Sequence, residues 1–218
     1  MERALAIHEI ATVVTELPLH RPLRIAIDGR DGAGKTTLAD EFIQPLRSRG
    51  REVIRASVDG FHNPRALRYL RGRYSPQGYF RDSFNYDALR EFILEPLGPD
   101  GSRDYRVAAF DWRNDAPAVS PLRRASETAI LLFDGIFLLR PELIEHWDFT
   151  IYVDVSIDVG LKRCALRDGS SPDPHSELNR RYIAAHELYF RECDPLALAD
   201  VVFENDDLSE PKLIWRSK

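Results

Sequence analysis

The sequence predicts an α/β fold, a mainly parallel sheet covered by helices on both faces, from three observations. The segments AILLFDG (129–135) and FTIYVDV (149–155) are almost continuously apolar, the pattern of strands buried on both faces. Helix-period segments alternate with these and other strand candidates along the chain. A glycine-rich stretch, GRDGAGKTT (29–37), joins the first strand candidate to a helix. At 218 residues, 44% hydrophobic and 30% charged, the chain is long enough to bury one core, and its composition excludes collagen-like and strongly disordered classes. Apolar runs stay well short of the ~18 residues a membrane span needs.

Each element follows from a local pattern. Ile7, Ile10, Val14 and Leu17 recur at helical spacing and predict a short amphipathic helix that ends at the punctuation of Pro18 and Pro22. LRIAID (23–28) reads as a buried strand. A helix over 36–49 is predicted with Leu38, Phe42 and Leu46 on one face, kinked or cut short at Pro45 and closed by Gly50. EVIRASV (52–58) is a second strand leading to Asp59. Residues 60–84 carry Tyr, Arg and Gly without periodicity and read as a ligand-facing excursion. A helix over 87–97, a strand over YRVAAFDW (105–112) and a polar loop follow. Beyond the two apolar strands, helices at 158–167 and 176–193 are joined by the breaker-rich DGSSPDPH, and VVFEN (201–205) is a last short strand. No repeat or long linker divides the chain, so one domain is expected, with a helical extension at 1–21 and a lid region at 163–181.

The formal charge of −5, from 35 acids and 30 bases, gives no global field for a nucleic-acid backbone, so no nucleic-acid or membrane partner is expected. All but four of the bases are arginine, whose planar fork suits phosphate. Cys164 and Cys193 form no CxxC pair and read as ordinary thiols in a reducing compartment. The opening MERALAIHEI has no long apolar stretch and does not read as a secretion signal, so a cytoplasmic protein is expected.

Gly29-Arg30-Asp31-Gly32-Ala33-Gly34-Lys35-Thr36 matches GxxxxGK[ST] in full, between a predicted strand and a predicted helix, which specifies a P-loop NTPase fold. Residues Gly29, Asp31, Gly32, Ala33, Gly34, Lys35, Thr36 and Thr37 form the expected phosphate cradle, aided by the positive end of the helix. Lys35 is expected to reach the β and γ phosphates and the Thr36 hydroxyl to hold Mg²⁺. Asp134, closing an apolar strand, is the candidate second partner for metal, water or a substrate hydroxyl; the alternative is an Asp-Gly turn. Asp154 also closes an apolar strand, but helix capping beside Ser156 explains it and it stays outside the site.

Asp59 lies at the C-terminal end of the second strand, on the sheet edge where ligands sit, and a carboxylate there can take the proton of an attacking hydroxyl. A structural Asp-Gly turn is the alternative. The chain lacks an NKxD-type guanine-reading sequence, and FEND (203–206) has the wrong order. Arg163 and Arg167, four apart on one helix face before the breaker, can lay guanidinium groups across transferring phosphates, with Asp168 pairing either; solvated arginines are the alternative. Arg180 and Arg181 beyond the breaker fit the same lid less sharply.

The ordered set resembles the uridine kinase and phosphoribulokinase group of P-loop kinases. The resemblance spans roughly residues 22–206 and rests on GRDGAGKTT, VDGFH (58–62), YFRDSFNYDAL (79–89), AAFDW (108–112), LLFDGIFLL (131–139), RCALRD (163–168) and RYIAAHELYFRECDPLALADVVFEN (181–205). It implies ATP-dependent phosphorylation of a primary hydroxyl, with ATP and Mg²⁺ as cofactors and a small-molecule acceptor, nucleosides favoured. It also implies Asp59 as the catalytic aspartate, Asp134 at a position often held by Glu, Arg163 and Arg167 as lid arginines, and Asp111 as an acceptor-pocket acid able to clamp ribose hydroxyls; a strand-end cap is the alternative for Asp111. Departures bear on the acceptor. Tyr79-Phe80-Arg81-Asp82-Ser83 replaces Asn-Phe-Asp-His-Pro, no base-reading histidine follows Asp111, and Ser-Pro-Asp-Pro replaces the lid's Gly-Arg-Asp. Phe61, Tyr74, Tyr79 and Phe80 either wall a ring-binding cleft or pack the excursion. His62 joins the acceptor-side candidates, and Arg81 is a candidate contact for an acidic or phosphorylated acceptor. A P-loop hydrolase or regulatory ATPase without an acceptor, and a binding module without chemistry, are the competing readings.

Overall fold

The computed structural model describes residues 1–18 and 20–216. Its strands are β1 (Leu23–Gly29), β2 (Val53–Ser57), β3 (Asp104–Tyr105), β4 (Phe110–Asp111), β5 (Ala116–Pro117), β6 (Arg123–Arg124), β7 (Ile130–Asp134), β8 (Phe149–Asp154), β9 (Val201–Glu204) and β10 (Lys212–Trp215). Its α-helices are α1 (Arg3–Glu16), α2 (Lys35–Glu41), α3 (Ile43–Arg47), α4 (Arg65–Arg68), α5 (Pro76–Asp82), α6 (Tyr86–Leu89), α7 (Ile157–Asp168), α8 (Glu177–Cys193) and α9 (Pro195–Leu198). The main sheet runs in the order β10-β9-β8-β1-β7-β2, parallel except for β10.

Alternation along each strand feeds two cores. Ile130 and Leu132 of β7 join Ile25, Ile27, Ile151 and Val153 on one face, where α1 supplies Ile7, Ile10 and Val14 and the helix after the glycine-rich loop supplies Leu38, Phe42 and Leu46. Leu131 and Phe133 face the other way and pack with Tyr152, Phe137, Phe80 and Tyr189. A parallel sheet flanked by helices on both faces is thus realised, as the continuous apolar strands require.

Several elements depart from expectation. The helix over 36–49 is split at Phe42 into α2 and α3, because Pro45 has no N–H to offer the Glu41 carbonyl. The second strand ends at Ser57, and Val58–Phe61 forms a 3₁₀ turn that carries Asp59. The helix expected over 87–97 is α6 continued by a π-turn over Arg90–Leu94, where the Glu95 N–H reaches the Arg90 carbonyl at 2.9 Å. The segment 105–112 does not form one strand. Its two ends enter separate two-stranded ribbons, β3 with β6 and β4 with β5, while Arg106 and Ala109 donate to the carbonyls of Phe92 and Gly60. The excursion's return therefore packs on the 3₁₀ turn and fixes its place beside the sheet edge. β10 was not anticipated; it is a largely exposed edge strand.

A buried ion-pair cluster anchors the start of β1 to the start of β8. Asp148 accepts from Arg21 at 2.6 and 2.8 Å and from Arg24 Nε at 3.1 Å, and these partners hold its carboxyl below the ordinary value against the opposing pull of burial.

Candidate active site

The strand register builds one edge. Ile27 of β1, Asp134 of β7 and Ser57 of β2 lie side by side, so the loop after Gly29, the Asp134 carboxylate and the turn carrying Asp59 emerge together. β1 and β2 are two strand spacings apart, ~10 Å, with Asp134 between them.

The glycine-rich loop is held from three sides. Gly32 has φ +75°, and a Cβ there would lie 2.2 Å from the Gly160 carbonyl oxygen, so only glycine lets the loop press on the first turn of α7. Buried Asn205, just past β9, donates to the Ala33 carbonyl at 2.7 Å and accepts from Arg3 of α1 at 2.7 Å. Asp28, fully buried at the end of β1, accepts from the N–H groups of Gly29, Leu138 and Leu139 and from the Tyr189 hydroxyl at 2.5 Å. Burial pushes the Asp28 carboxyl up, and these donors only partly offset it.

Within the loop, Lys35 Nζ curls back to the Arg30 carbonyl at 2.8 Å. Thr36 donates its hydroxyl to Asp134 Oδ2 at 2.7 Å, while Arg55 donates to Asp134 Oδ1 at 3.0 Å. One hydroxyl and one carboxylate are hard oxygen donors, and a site with so few protein ligands fits Mg²⁺, which keeps water and nucleotide oxygens in its shell. Gly32, Gly34, Lys35, Thr36 and Thr37 border a cavity of about 470 Å³ whose other wall includes Arg3, Arg163, Arg167 and Asn205. Arg163 donates to the carbonyls of Asn205 and Asp206 at 2.8 and 3.0 Å, and Arg167 pairs with Asp168 at 2.8 Å. Both arginines expected in the lid therefore border the loop cavity, with Asp168 committed to Arg167.

Asp31 faces away from that cavity toward α5 and α8. His186 Nε2 meets it at 3.3 Å and Tyr79 donates its hydroxyl at 3.3 Å. Burial alone would raise the Asp31 carboxyl, but the His186 contact, reinforced by Lys35, holds it at about 2.

On the acceptor side the expected residues separate. Asp59 is exposed at the 3₁₀ turn, and its carboxylate accepts no hydrogen bond among the described residues. The capping of that turn falls to Ser57, whose hydroxyl accepts from the Asp59 N–H at 3.4 Å. His62 donates Nδ1–H to the Asp59 carbonyl at 3.0 Å and lies between the rings of Phe84 and Trp112. Asp111 is engaged in its own turn, accepting from the Arg113 N–H and from the Asn114 side chain at 2.6 Å. Arg81 pairs with Glu192 of α8 at 2.8 Å. Phe61 and Phe80 are core residues at 0% and 1% exposure, so neither walls a cleft; the side of the 3₁₀ turn that faces the sheet carries Phe61 inward against Phe133. Tyr79 is half-buried and Tyr74 exposed.

Sequence reasoning missed Arg3, Asp28, Arg55, Asn205 and His186. Asp28 had a usable signal, a carboxylate closing an apolar strand as Asp134 does. Asn205 sat in the FEND sequence weighed only as a guanine reader.

A parallel sheet with a phosphate loop after β1, an acid closing β7 and arginines on α7 defines a P-loop kinase. The chain belongs to the phosphoribulokinase and uridine kinase family, whose model matches residues 24–172. It is an ATP-dependent small-molecule kinase of the uridine kinase type, a phosphotransferase with an alcohol group as acceptor. A uridine kinase of Deinococcus deserti is 25% identical over 200 residues, covering 88% of this chain and 92% of that one. A chloroplastic uridine/cytidine kinase of Arabidopsis thaliana is 24% identical over 155 residues, 68% of this chain but 30% of the relative's own length. The fold is shared with a Bacillus stearothermophilus structure described as a possible uridine kinase, at TM-score 0.71 and 23% identity over 91% of this chain and 97% of that one. It is shared also with D-glycerate 3-kinase of Cryptococcus neoformans, at TM-score 0.56 and 10% identity over 97% of each chain. Among the described residues no helix is long and apolar enough to cross a membrane.

Proposed function

We propose that the chain is a single cytoplasmic kinase domain that transfers the γ-phosphate of ATP to a hydroxyl of a nucleoside or similar small metabolite, with Asp59 as the base. The observation that carries this reading is the state of Asp59: an exposed carboxylate on the ligand edge of the sheet with no hydrogen bond to spend on its own turn. A carboxylate kept for structure would accept from nearby N–H groups, as Asp111 does.

In this reading the loop N–H groups and Lys35 bind the β and γ phosphates, Lys35 exchanging the Arg30 carbonyl for phosphate oxygens. Thr36 and Asp134 hold Mg²⁺, which when bound neutralises charge on the β and γ oxygens. Arg55 keeps Asp134 aligned. Asp59 accepts the proton of the acceptor hydroxyl as its oxygen forms a bond to the γ phosphorus and the bond to the β-phosphate oxygen breaks, releasing ADP. Arg163 and Arg167, bordering the loop cavity, supply positive charge to the phosphates. Nucleosides enter because the relatives named above are uridine and cytidine kinases; no nucleic-acid or membrane partner is part of the reading.

The test is ADP release by the purified chain with Mg·ATP, with and without nucleosides, pantothenate and sugar phosphates. Acceptor-dependent ADP together with a phosphorylated product supports the reading. Turnover indifferent to every acceptor makes the protein a hydrolase, and nucleotide binding without turnover makes it a binding module.

A further inference from the structure

Arg181, in the first turns of α8, is 6% exposed, yet it has neither an ion pair nor a hydrogen bond among the described residues, and its Nε is enclosed without a partner. Its guanidinium lies instead over three tyrosine rings, 4.7 Å from the centroid of Tyr79, 5.5 Å from Tyr182 and 5.7 Å from Tyr69. Other deeply buried arginines behave differently: Arg24 has Asp148 and Arg140 has Glu142. Arginine stays charged at any accessible pH, so withdrawing it from water without a counter-charge opposes folding unless a ligand supplies that charge.

A second guanidinium lies against one of the same rings. Arg68 of α4 is 8% exposed, lies 5.6 Å from the Tyr69 centroid, and also has an unpartnered Nε. Its one carboxylate, Asp115, stands at 3.5 Å. Two guanidinium groups thus lie against one ring with a single acid between them, Asp115, which pairs with Arg68 and leaves Arg181 without a counter-charge. Its position assigns the anion to the acceptor rather than to ATP. Arg3, Arg163 and Arg167 border the loop cavity, whereas Arg68 belongs to the 60–84 excursion. Tyr79 bridges the two regions, its hydroxyl on Asp31 of the phosphate loop and its ring under Arg181.

We infer that Arg181, with Arg68, recognises an anionic group, carboxylate or phosphate, on the acceptor. This rests on the kinase reading and narrows it: the acceptor is an acidic alcohol, and a neutral nucleoside leaves Arg181 without a counter-charge.

The experiment compares acceptors that differ by the anion, D-glycerate with glycerol and ribulose 5-phosphate with ribulose, beside uridine and cytidine. Acidic members are expected to drive ADP release and their neutral partners to fall at least ~10-fold in kcat/KM, the two pairs separating carboxylate from phosphate. Arg181→Gln is expected to raise KM for the acidic acceptor at least ~10-fold with KM for ATP unchanged, and Arg181→Lys to recover part of the loss. Inorganic sulfate titrated into protein saturated with a non-hydrolysable ATP analogue probes the anion locus without a known acceptor; Arg181→Gln and Arg68→Gln, checked for native circular dichroism, are each expected to weaken that binding. Uridine or cytidine turned over with a kcat/KM equal to that of the acidic acceptors, or sulfate binding unchanged in both variants, overturns the inference and leaves the kinase reading standing. ADP release indifferent to every acceptor overturns both.

Discussion

Replacing Asp59 with Asn separates a base from a turn residue more cleanly here than in most strand-end aspartates. The side chain is exposed and accepts no hydrogen bond among the described residues, and the residue's own backbone N–H is already taken by the Ser57 hydroxyl. Folding stability should therefore change by less than ~0.5 kcal/mol, the range of surface substitutions without a specific role. For a chain of this length that is a Tm shift of roughly 2 °C or less. Removing a general base lowers turnover by ~10²–10⁴, or roughly 2.7–5.4 kcal/mol of transition-state stabilisation. The loop, Thr36 and Asp134 are untouched, so Mg·ATP affinity should stay within about twofold of native. Differential scanning calorimetry, calorimetric titration of the non-hydrolysable nucleotide, and ADP release with acceptor give the three numbers on one preparation. Near-native kcat in the Asn variant refutes the base role. A large Tm loss would mean that the carboxylate serves the fold, and a parallel loss of ATP affinity would move it to the metal.

The remaining predictions concern the nucleotide side. Lys35→Ala should lower kcat about a hundredfold or more, since it removes charge from the developing transition state; comparable turnover in folded protein removes Lys35 from the mechanism. Asp134→Asn should raise the Mg²⁺ concentration needed for half-maximal nucleotide binding and cost about 1–3 kcal/mol of stability, because the neutral amide loses the charge pairing with the Arg55 guanidinium and keeps Thr36 only by reversing that hydrogen bond; unchanged Mg²⁺ dependence counts against it as a ligand. Arg163→Ala and Arg167→Ala should each depress kcat more than ATP affinity, and equal loss of affinity with intact saturated turnover would make them ground-state binders. Asp31, held at about 2 against an ordinary 3.8, contributes stability that is present above pH 3.8 and lost as pH falls toward 2. The stability gap between native protein and His186→Gln should narrow across that window, and a gap independent of pH would detach His186 from Asp31.

What the sequence made legible was local. Ile130 to Asp134 could be read as a strand because every residue is apolar until the last, and the loop motif carries its own strand and helix as context. Opaque features depended on partners far along the chain. Asn205 meets the loop across 172 residues, Arg3 meets Asn205 across 202, and His186 meets Asp31 across 155, and no spacing rule reaches that far. Asp59 and Asp111 looked alike as acids at strand ends. They differ because Arg113 and Asn114 turn their donors onto Asp111, whereas Gly60 presses against Ala108 and leaves Asp59 unoccupied. The segment 105–112 has strand-like composition, but its N–H groups find carbonyls in the excursion and the π-turn, so composition alone mis-assigned it.

The proposed division of labour between the two carboxylates of the sheet edge has physical grounds. A group that holds a cation must be fixed; Asp134, 3% exposed, is held on both sides, by the Thr36 hydroxyl and the Arg55 guanidinium. A base must release its proton to solvent after each turnover, and a buried, doubly bonded carboxylate does this poorly. Asp59, exposed and unbonded two residues past the strand, satisfies that second demand and fails the first, since nothing in its turn would keep it aimed at a metal. In the proposed mechanism the metal side is built into the sheet and the acceptor side into the excursion, so changes of acceptor could evolve in 60–84 and α8 without disturbing the phosphate machinery.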